Sequence, residues 1–241
     1  MFLRGIVLLV SVFVSNNSVA DCAKDLLGAR YKMTTSDAQG KHKQVDHMIL
    51  WRNGNQVAHQ YTDTRITEVW ERIKNTQLRM TRNFDEHKRG IEYEPNEIKM
   101  QHDNNAWQLK KQLLSQQLID SMDLKSSTHK DCDILKTYKK EDTRQQLQLQ
   151  WLAAQQLVKR FSVESDKQHI TWELESVIHD TQKVQQLFIS RENYQMTDYS
   201  DIGDNESDPF LMKMINLGFV AHSSSGIYDQ HGNALQGQHS H

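Results

Sequence analysis

The residues best suited to chemistry in this sequence are histidines near its C-terminus. Four of the twelve histidines fall in the last twenty residues, namely His222, His231, His239 and His241. Neutral imidazoles bind Cu²⁺, Ni²⁺ and Zn²⁺, and His239 and His241 are close enough in sequence to share one ion. The composition favours a His-rich terminus with no fixed ligand geometry. The alternative is weak, opportunistic metal binding by the tail.

A second group of candidate ligands is acidic. Four aspartates and one glutamate fall between Asp198 and Asp208, and carboxylate oxygens are the ligands that Ca²⁺ prefers. The spacing departs from that of calcium-binding loops, because Ser200 and Ile202 hold the alternate positions. Asp208 followed by Pro209 is typical of a helix start. The sequence therefore favours a solvated turn leading into a helix from Pro209 to Leu217.

The N-terminus has the pattern of a secretory signal peptide. Arg4 precedes an apolar run over residues 5–14, and small residues at 18–20 form a cleavage site. The run is about half of the ~20 residues that span a bilayer, so we expect no transmembrane anchor. We expect a soluble, exported protein, periplasmic or secreted. In that oxidising compartment Cys22 and Cys132 predict a disulfide, with a thiol or metal pair as the alternative.

The sequence carries no recognised catalytic motif. It lacks G-x-S-x-G, H-E-x-x-H, a glycine-rich phosphate loop and the dinucleotide-binding G-x-G-x-x-G. Its 29 lysines and arginines nearly balance 31 aspartates and glutamates, which gives no electrostatic basis for binding nucleic acid. The favoured class is a non-enzymatic binding protein, and an enzyme of unrecognised type stays open.

The elements that must position any site fall into two strand-rich blocks separated by one helical stretch. Residues 103–122 combine the candidate N-cap Asp103 with an apolar stripe and predict a single helix. Alternating apolar and polar residues predict a meander of strands on each side of it. In the first block, Asn53-Gly54 predicts a hairpin turn. In the second block, we expect strands at 187–189 and 194–199.

With a short helix predicted over residues 21–30, the expected fold is α+β. It is a large curved antiparallel sheet of two meander blocks, covered by the central helix. We expect one β-rich domain over residues 21–220, between the signal peptide (1–20) and a flexible tail (221–241). This order of elements resembles the half-open barrel of periplasmic lipoprotein carriers. The resemblance is one of architecture, so it implies a fold and transfers no site residues.

The aromatic and leucine residues supply the binding hypothesis. Four tryptophans lie on predicted strands, two in each block, and one lies on the predicted helix. They fit either an ordinary core or an apolar groove that takes an acyl chain or an extended peptide. The predicted groove is lined by Trp51, Trp70, Trp107, Leu114, Leu118, Trp151 and Trp172. The alternative function is a periplasmic metal-handling accessory protein that uses the histidine tail.

Overall fold

The computed structural model describes residues 25–74, 76–98, 103–130, 133–203 and 207–216. Within these ranges the chain forms twelve β-strands and four α-helices. The strands are β1 (Leu26–Asp37), β2 (Gln44–Asn53), β3 (Gln56–Tyr61), β4 (Ile66–Arg72), β5 (Leu78–Phe84), β6 (Arg89–Tyr93), β7 (Asp123–Lys130), β8 (Asp133–Glu141), β9 (Gln145–Leu152), β10 (Leu157–Ser165), β11 (Gln168–Ile178) and β12 (Gln195–Asp198). The helices are α1 (Asn104–Gln112), α2 (Gln116–Asp120), α3 (Thr181–Glu192) and α4 (Pro209–Asn216).

All twelve strands belong to one open sheet, in the order β12-β6-β5-β4-β3-β2-β1-β11-β10-β9-β8-β7. Strands β1 to β6 form one antiparallel meander and β7 to β11 form another. The antiparallel pairing of β1 with β11 joins the two into a single surface. The short strand β12 adds to the edge in parallel with β6. The prediction of a large antiparallel sheet with few helices is confirmed at this level.

The strands form where apolar and polar residues alternate, because successive side chains point to opposite faces. In β9, for example, Leu147, Leu149 and Trp151 are buried between less buried glutamines. Tight turns occur where the backbone permits them. Gly54 adopts a positive φ of 63° at the predicted β2–β3 hairpin. A side chain there would strain the backbone.

The sheet is strongly curved, as one buried side chain demonstrates. Arg52 on β2 donates hydrogen bonds to the carbonyl oxygens of Gln155 (2.7 Å) and Gln156 (2.6 Å) in the turn between β9 and β10. Two strands separate β2 from β10, so a flat sheet would place them about 14 Å apart. One arginine bridges that gap only because the sheet bends around it. The face that carries Arg52 is therefore the concave face.

The two faces hold separate cores. The concave face carries the main core, to which α1, α2 and α4 contribute buried side chains such as Trp107, Ile119 and Leu211. The convex face carries a smaller core, in which Val184 and Phe188 of α3 pack against the strands. Helices therefore cover both faces of the sheet.

The prediction of one helix over residues 103–122 was wrong, because the stretch folds as α1 and α2. Asp103 caps α1 as expected, its carboxylate accepting a hydrogen bond from the Ala106 amide at 2.8 Å. The helix then ends at Leu113, whose φ of 68° is left-handed. Ser115 starts α2 by accepting a hydrogen bond from the Leu118 amide at 3.2 Å. Serine is a good N-cap and a poor helix-interior residue, so it favours this restart.

Two other local predictions were also wrong. The helix predicted over residues 21–30 is replaced, from Leu26 onward, by strand β1. The strand predicted at 187–189 lies inside α3, which begins after Asp180, whose carboxylate accepts a hydrogen bond from the Lys183 amide at 3.1 Å. The strand expected at 194–199 forms as β12 and ends at Asp198.

The predicted start of the last helix is confirmed. The Asp208 carboxylate accepts a hydrogen bond from the Phe210 amide at 2.8 Å and caps α4. The resemblance to periplasmic lipoprotein carriers rests on the order of elements in the sequence alone.

Candidate functional site

A row of polar side chains crosses the concave face where apolar residues would be expected. His59 on β3 lies opposite Glu68 on β4, and Glu68 lies opposite Arg82 on β5. The next positions in the row are Leu50 on β2 and Ile91 on β6, both fully buried. Strand pairing therefore brings three ionisable groups together inside the main core.

Glu68 and Arg82 form a buried ion pair at the centre of this row. An Arg82 terminal nitrogen (Nη2) lies 2.8 Å from Glu68 Oε1, and Arg82 Nε lies 3.2 Å from the same oxygen. The two side chains are only 14% and 13% exposed. Burial opposes the charged carboxylate, but Arg82 and Lys110 outweigh it and lower the pKa of Glu68 below its ordinary value. The carboxylate stays ionised inside the protein.

Helix α1 adds a second cation above this row. The Lys110 side chain is buried, and its Nζ lies 3.8 Å from the centroid of the Trp70 ring. Within the described residues it makes no hydrogen bond and no ion pair within 4.0 Å. Burial lowers the pKa of Lys110 to about 8, although the Glu68 charge works in the opposite direction. At neutral pH this amine is a buried cation whose closest partner is an aromatic ring.

His59 fixes the position of α1 over the row. Its Nε2 lies 2.8 Å from the Lys110 carbonyl oxygen. Burial, together with the nearby Lys110 charge, lowers the pKa of His59 to about 4. The ring is therefore neutral at physiological pH and donates its Nε2 proton to that carbonyl. The hydrogen bond satisfies one of the free carbonyl groups at the helix end.

Further donors around the cluster have no partner within the described residues. Trp70 Nε1 and the Tyr93 hydroxyl are both buried without a hydrogen bond. Burial raises the pKa of Tyr93 to about 12, so this hydroxyl keeps its proton. The interior thus combines two cations, Arg82 and Lys110, with one carboxylate and several neutral donors. Such a set is complementary to an anionic, hydrogen-bond-accepting group.

Arg52 on β2 binds α1 at a second point. Its Nε donates to the Lys111 carbonyl oxygen at 2.7 Å, while its other nitrogens hold the β9–β10 turn. Burial lowers the pKa of Arg52 to about 10, with Tyr31 and Asp25 acting in the opposite direction. The guanidinium remains charged and links β2, α1 and the β9–β10 turn.

The structure brings most of the predicted groove residues to this face. The residues in the concave-face core are Trp70, Trp107, Leu114, Trp151 and Trp172, with Leu118 partly buried against it. Trp51 does not join them, because its side chain lies in the convex-face core. On β2 it alternates with Leu50 and Arg52, which point to the concave side.

Sequence reasoning did not find His59, Glu68, Arg82 or Lys110. A signal was present in the strand alternation. Arg82 occupies the apolar phase of β5, between Met80 and Phe84. A charge at a position that the pattern assigns to the core is unusual, and it indicates a buried polar site.

Several predicted sites lie outside the described residues. They include the signal peptide, the two cysteines Cys22 and Cys132, and the tail histidines His222, His231, His239 and His241. Among the residues that the structure describes, no group of three or more His, Cys, Asp or Glu side chains could hold a metal ion.

Comparisons with known proteins add no functional assignment. No protein-family model and no curated protein matches the chain. Two crystal structures of PNGF-II align with it at 12% and 10% identity and TM-scores of 0.35 and 0.33. They cover 71% and 74% of this chain, which spans only 31% and 32% of theirs. A DUF1329 family protein from Desulfovibrio piger aligns at 10% identity and a TM-score of 0.24, over 68% of this chain and 88% of its own.

Proposed function

We propose that the protein is an exported, non-enzymatic binding protein that holds an acyl ligand between α1 and the concave face of the sheet. The observation that carries the proposal is the buried, positively charged cluster beneath α1. The apolar residues around it suit an acyl chain, and the cluster suits an anionic head group. Export rests on the signal-peptide pattern. Among the described residues no helix is long and apolar enough to span a bilayer.

Ligand binding explains the buried Lys110 better than stability of the fold does. Burying an ammonium group without an anionic partner is costly, and a core position selected for stability alone would favour leucine or methionine. Its position above Trp70 leaves the ammonium protons available to a ligand carboxylate. A bound anion would supply the missing counter-charge.

Helix α1 covers the proposed site and is held there by hydrogen bonds from His59 and Arg52, so entry of a ligand requires these bonds to break. Its backbone lies farther from the strands than that of α3, and large side chains fill the space between. The left-handed residue Leu113 separates it from α2 and provides a natural hinge. Outward movement of α1 would expose Lys110 and Trp107 together.

The test compares an acidic and a neutral probe. Dansyl-undecanoic acid and its methyl ester share the acyl chain and the fluorophore but differ in charge. We expect wild-type protein to bind the acid more tightly than the ester. The variant Lys110→Met should bind the acid roughly 10- to 100-fold more weakly, because a charge-assisted hydrogen bond contributes about 1.5–3 kcal/mol. The ester should be affected little.

The variant Lys125→Met, on the exposed strand β7, serves as the matched control and should bind both probes as the wild type does. If wild-type protein binds neither probe, the proposed function is rejected. If Lys110→Met weakens the acid and the ester equally, the lysine supports the fold and does not recognise the head group.

A further inference from the structure

The convex face carries a separate cleft of about 380 Å³, within the size range of small-molecule sites. Strands β3 to β6 form its floor, α3 forms one wall, and Met196 of β12 forms the other. Val69 and Phe188 make part of the lining apolar. This cleft lies on the opposite side of the sheet from Lys110 and does not depend on the proposed acyl site.

Acidic groups predominate around the cleft. The lining carboxylates are Glu71, Glu92 and Glu192, and the lining guanidinium groups belong to Arg79 and Arg191. Both guanidinium groups already face carboxylates. Arg191 lies 2.6 Å from Asp85, and Arg79 lies 3.2 Å from Glu94.

The carboxylates themselves are less well compensated. Glu71 and Glu192 make no ion pair within 4.0 Å among the described residues, and Glu92 has only Arg79, at 3.9 Å. Burial raises the pKa of Glu92, and the charges of Glu94, Asp198 and Glu71 raise it further against the opposing Arg79. The cleft therefore attracts positive charge.

A buried amide on the cleft floor supplies a second, independent observation. Asn83 is 1% exposed, and its Nδ2 donates to the Thr67 carbonyl oxygen at 3.2 Å. That bond fixes the orientation of the amide and leaves Oδ1 without a hydrogen-bond partner among the described residues. Oδ1 lies beside Gly90, next to the flexible side chain of Met196. This acceptor can take a hydrogen bond from a ligand that carries N–H donors.

The lining points to an organic cation rather than a metal ion. Among the described residues no three potential metal ligands converge. Glu71 and Glu92 lie on strands two apart, which separates them by about 10 Å, and Val69 and Phe188 in the same lining suit methylene groups. Two separated carboxylates match a chain with an ammonium group at each end.

We propose that the convex-face cleft binds a small organic cation of the diamine or polyamine class. Its ammonium groups pair with Glu71 and Glu92, its methylene groups pack on Val69 and Phe188, and one N–H group reaches Asn83 Oδ1 when Met196 moves aside.

Isothermal titration with spermidine at low ionic strength tests the proposal on the full chain. We expect one molecule to bind per chain, and we expect Glu92→Gln and Glu71→Gln each to weaken binding at least tenfold. Both positions are partly exposed, so these variants should fold, which thermal unfolding verifies. Glu164→Gln, an exposed carboxylate on β10, is the matched control and should bind spermidine as the wild type does.

Equimolar Mg²⁺ should not displace spermidine from the wild-type protein, since the carboxylates do not converge on one ion. The proposal is overturned if spermidine does not bind, if Glu164→Gln weakens binding as much as Glu92→Gln does, or if Mg²⁺ displaces the probe. The acyl probes bind the other face, so their result is read separately.

Discussion

Each face of the sheet is covered by a helix, and the two helices meet the sheet in different ways. On the convex face, α3 comes close to β1 and β2, and its Val184 and Phe188 share a core with Trp51 of β2. On the concave face, α1 stands farther from the strands, and Trp107 and Lys110 fill the gap. Both helices are well anchored, but only α1 carries an unpaired cation into the interior.

Holding a helix on this sheet requires different features from binding a ligand beneath it. Apolar contacts and one paired guanidinium hold α3, since Arg191 reaches Asp85 at 2.6 Å and Thr67 at 3.0 Å. The buried guanidinium of α3 thus has a carboxylate partner. The buried Lys110 is therefore not required for holding a helix on this sheet. Its presence beneath α1 favours recognition of a ligand on the concave face.

The largest expected effect tests how α1 is held. The variant Arg52→Leu leaves three carbonyl oxygens without their donor, those of Lys111, Gln155 and Gln156. We expect the free energy of unfolding to fall by about 3–5 kcal/mol, because each buried carbonyl loses a charge-assisted hydrogen bond. Urea unfolding measures the change.

Amide hydrogen exchange identifies which helix is destabilised in Arg52→Leu. Amides of α1 should exchange faster in Arg52→Leu, whereas those of α3 should change only with global stability. The control Arg160→Leu removes an exposed guanidinium that pairs with Glu173, and should cost no more than about 1 kcal/mol. Equal costs for the two variants would contradict the role assigned to Arg52.

The second prediction concerns the pH dependence of stability, which His59 on the concave face of the sheet should dominate. The pKa of His59 is about 4 in the folded protein against an ordinary value of 6.5. The unfolded chain therefore binds more protons between these values, so stability is complete above pH 6.5 and falls as the pH decreases towards 4. The loss approaches about 3 kcal/mol at the lower end.

Unfolding is measured between pH 7 and 5, above the ordinary pKa of a glutamate, and the folded protein lowers the pKa of Glu68 below that ordinary value. The variant His59→Gln retains a donor for the Lys110 carbonyl and removes the titration, so its stability should depend less on pH than that of the wild type. His129→Gln, on the exposed strand β7, should keep the wild-type slope. An unchanged slope in His59→Gln would show that the ring titrates normally.

Much of the fold could be predicted because its signals are local. Alternation in β9 and the Asn53-Gly54 turn are readable within a few residues, and Asp208 before Pro209 marks the start of α4. The short apolar run at 187–189 fits both a strand and a helix, so its neighbours decide. Val184, one turn earlier, completes the helical face.

The candidate site could not be predicted because it depends on pairing between distant segments. His59, Glu68 and Arg82 meet only when β3, β4 and β5 adopt their register, and the sequence around each residue does not specify that register. Lys110 is contributed by α1, and the sequence predicted only apolar residues on the buried face of that helix. The local signal was limited to a charge in the buried phase of a strand.

The smallest predicted effect tests the close contact on the convex face. A side chain added at Gly28 would place its Cβ 2.7 and 2.8 Å from two ring carbons of Trp51. The ring is held in place, because Trp51 Nε1 donates to Gln60 Oε1 at 3.0 Å. We expect Gly28→Ala to lower the free energy of unfolding by about 1–3 kcal/mol through overpacking.

A double-mutant cycle with Trp51→Leu identifies the cause. Once the large ring is absent, the added methyl group has space, so Gly28→Ala should cost much less in the Trp51→Leu background than in the wild type. The same cost in both backgrounds would mean that the glycine is needed for some other reason. Acyl-probe binding should be unaffected by Gly28→Ala, because its clash lies on the convex side. A loss of probe binding would show that the two faces are coupled through β1, and that α1 and α3 cannot be treated as independent covers.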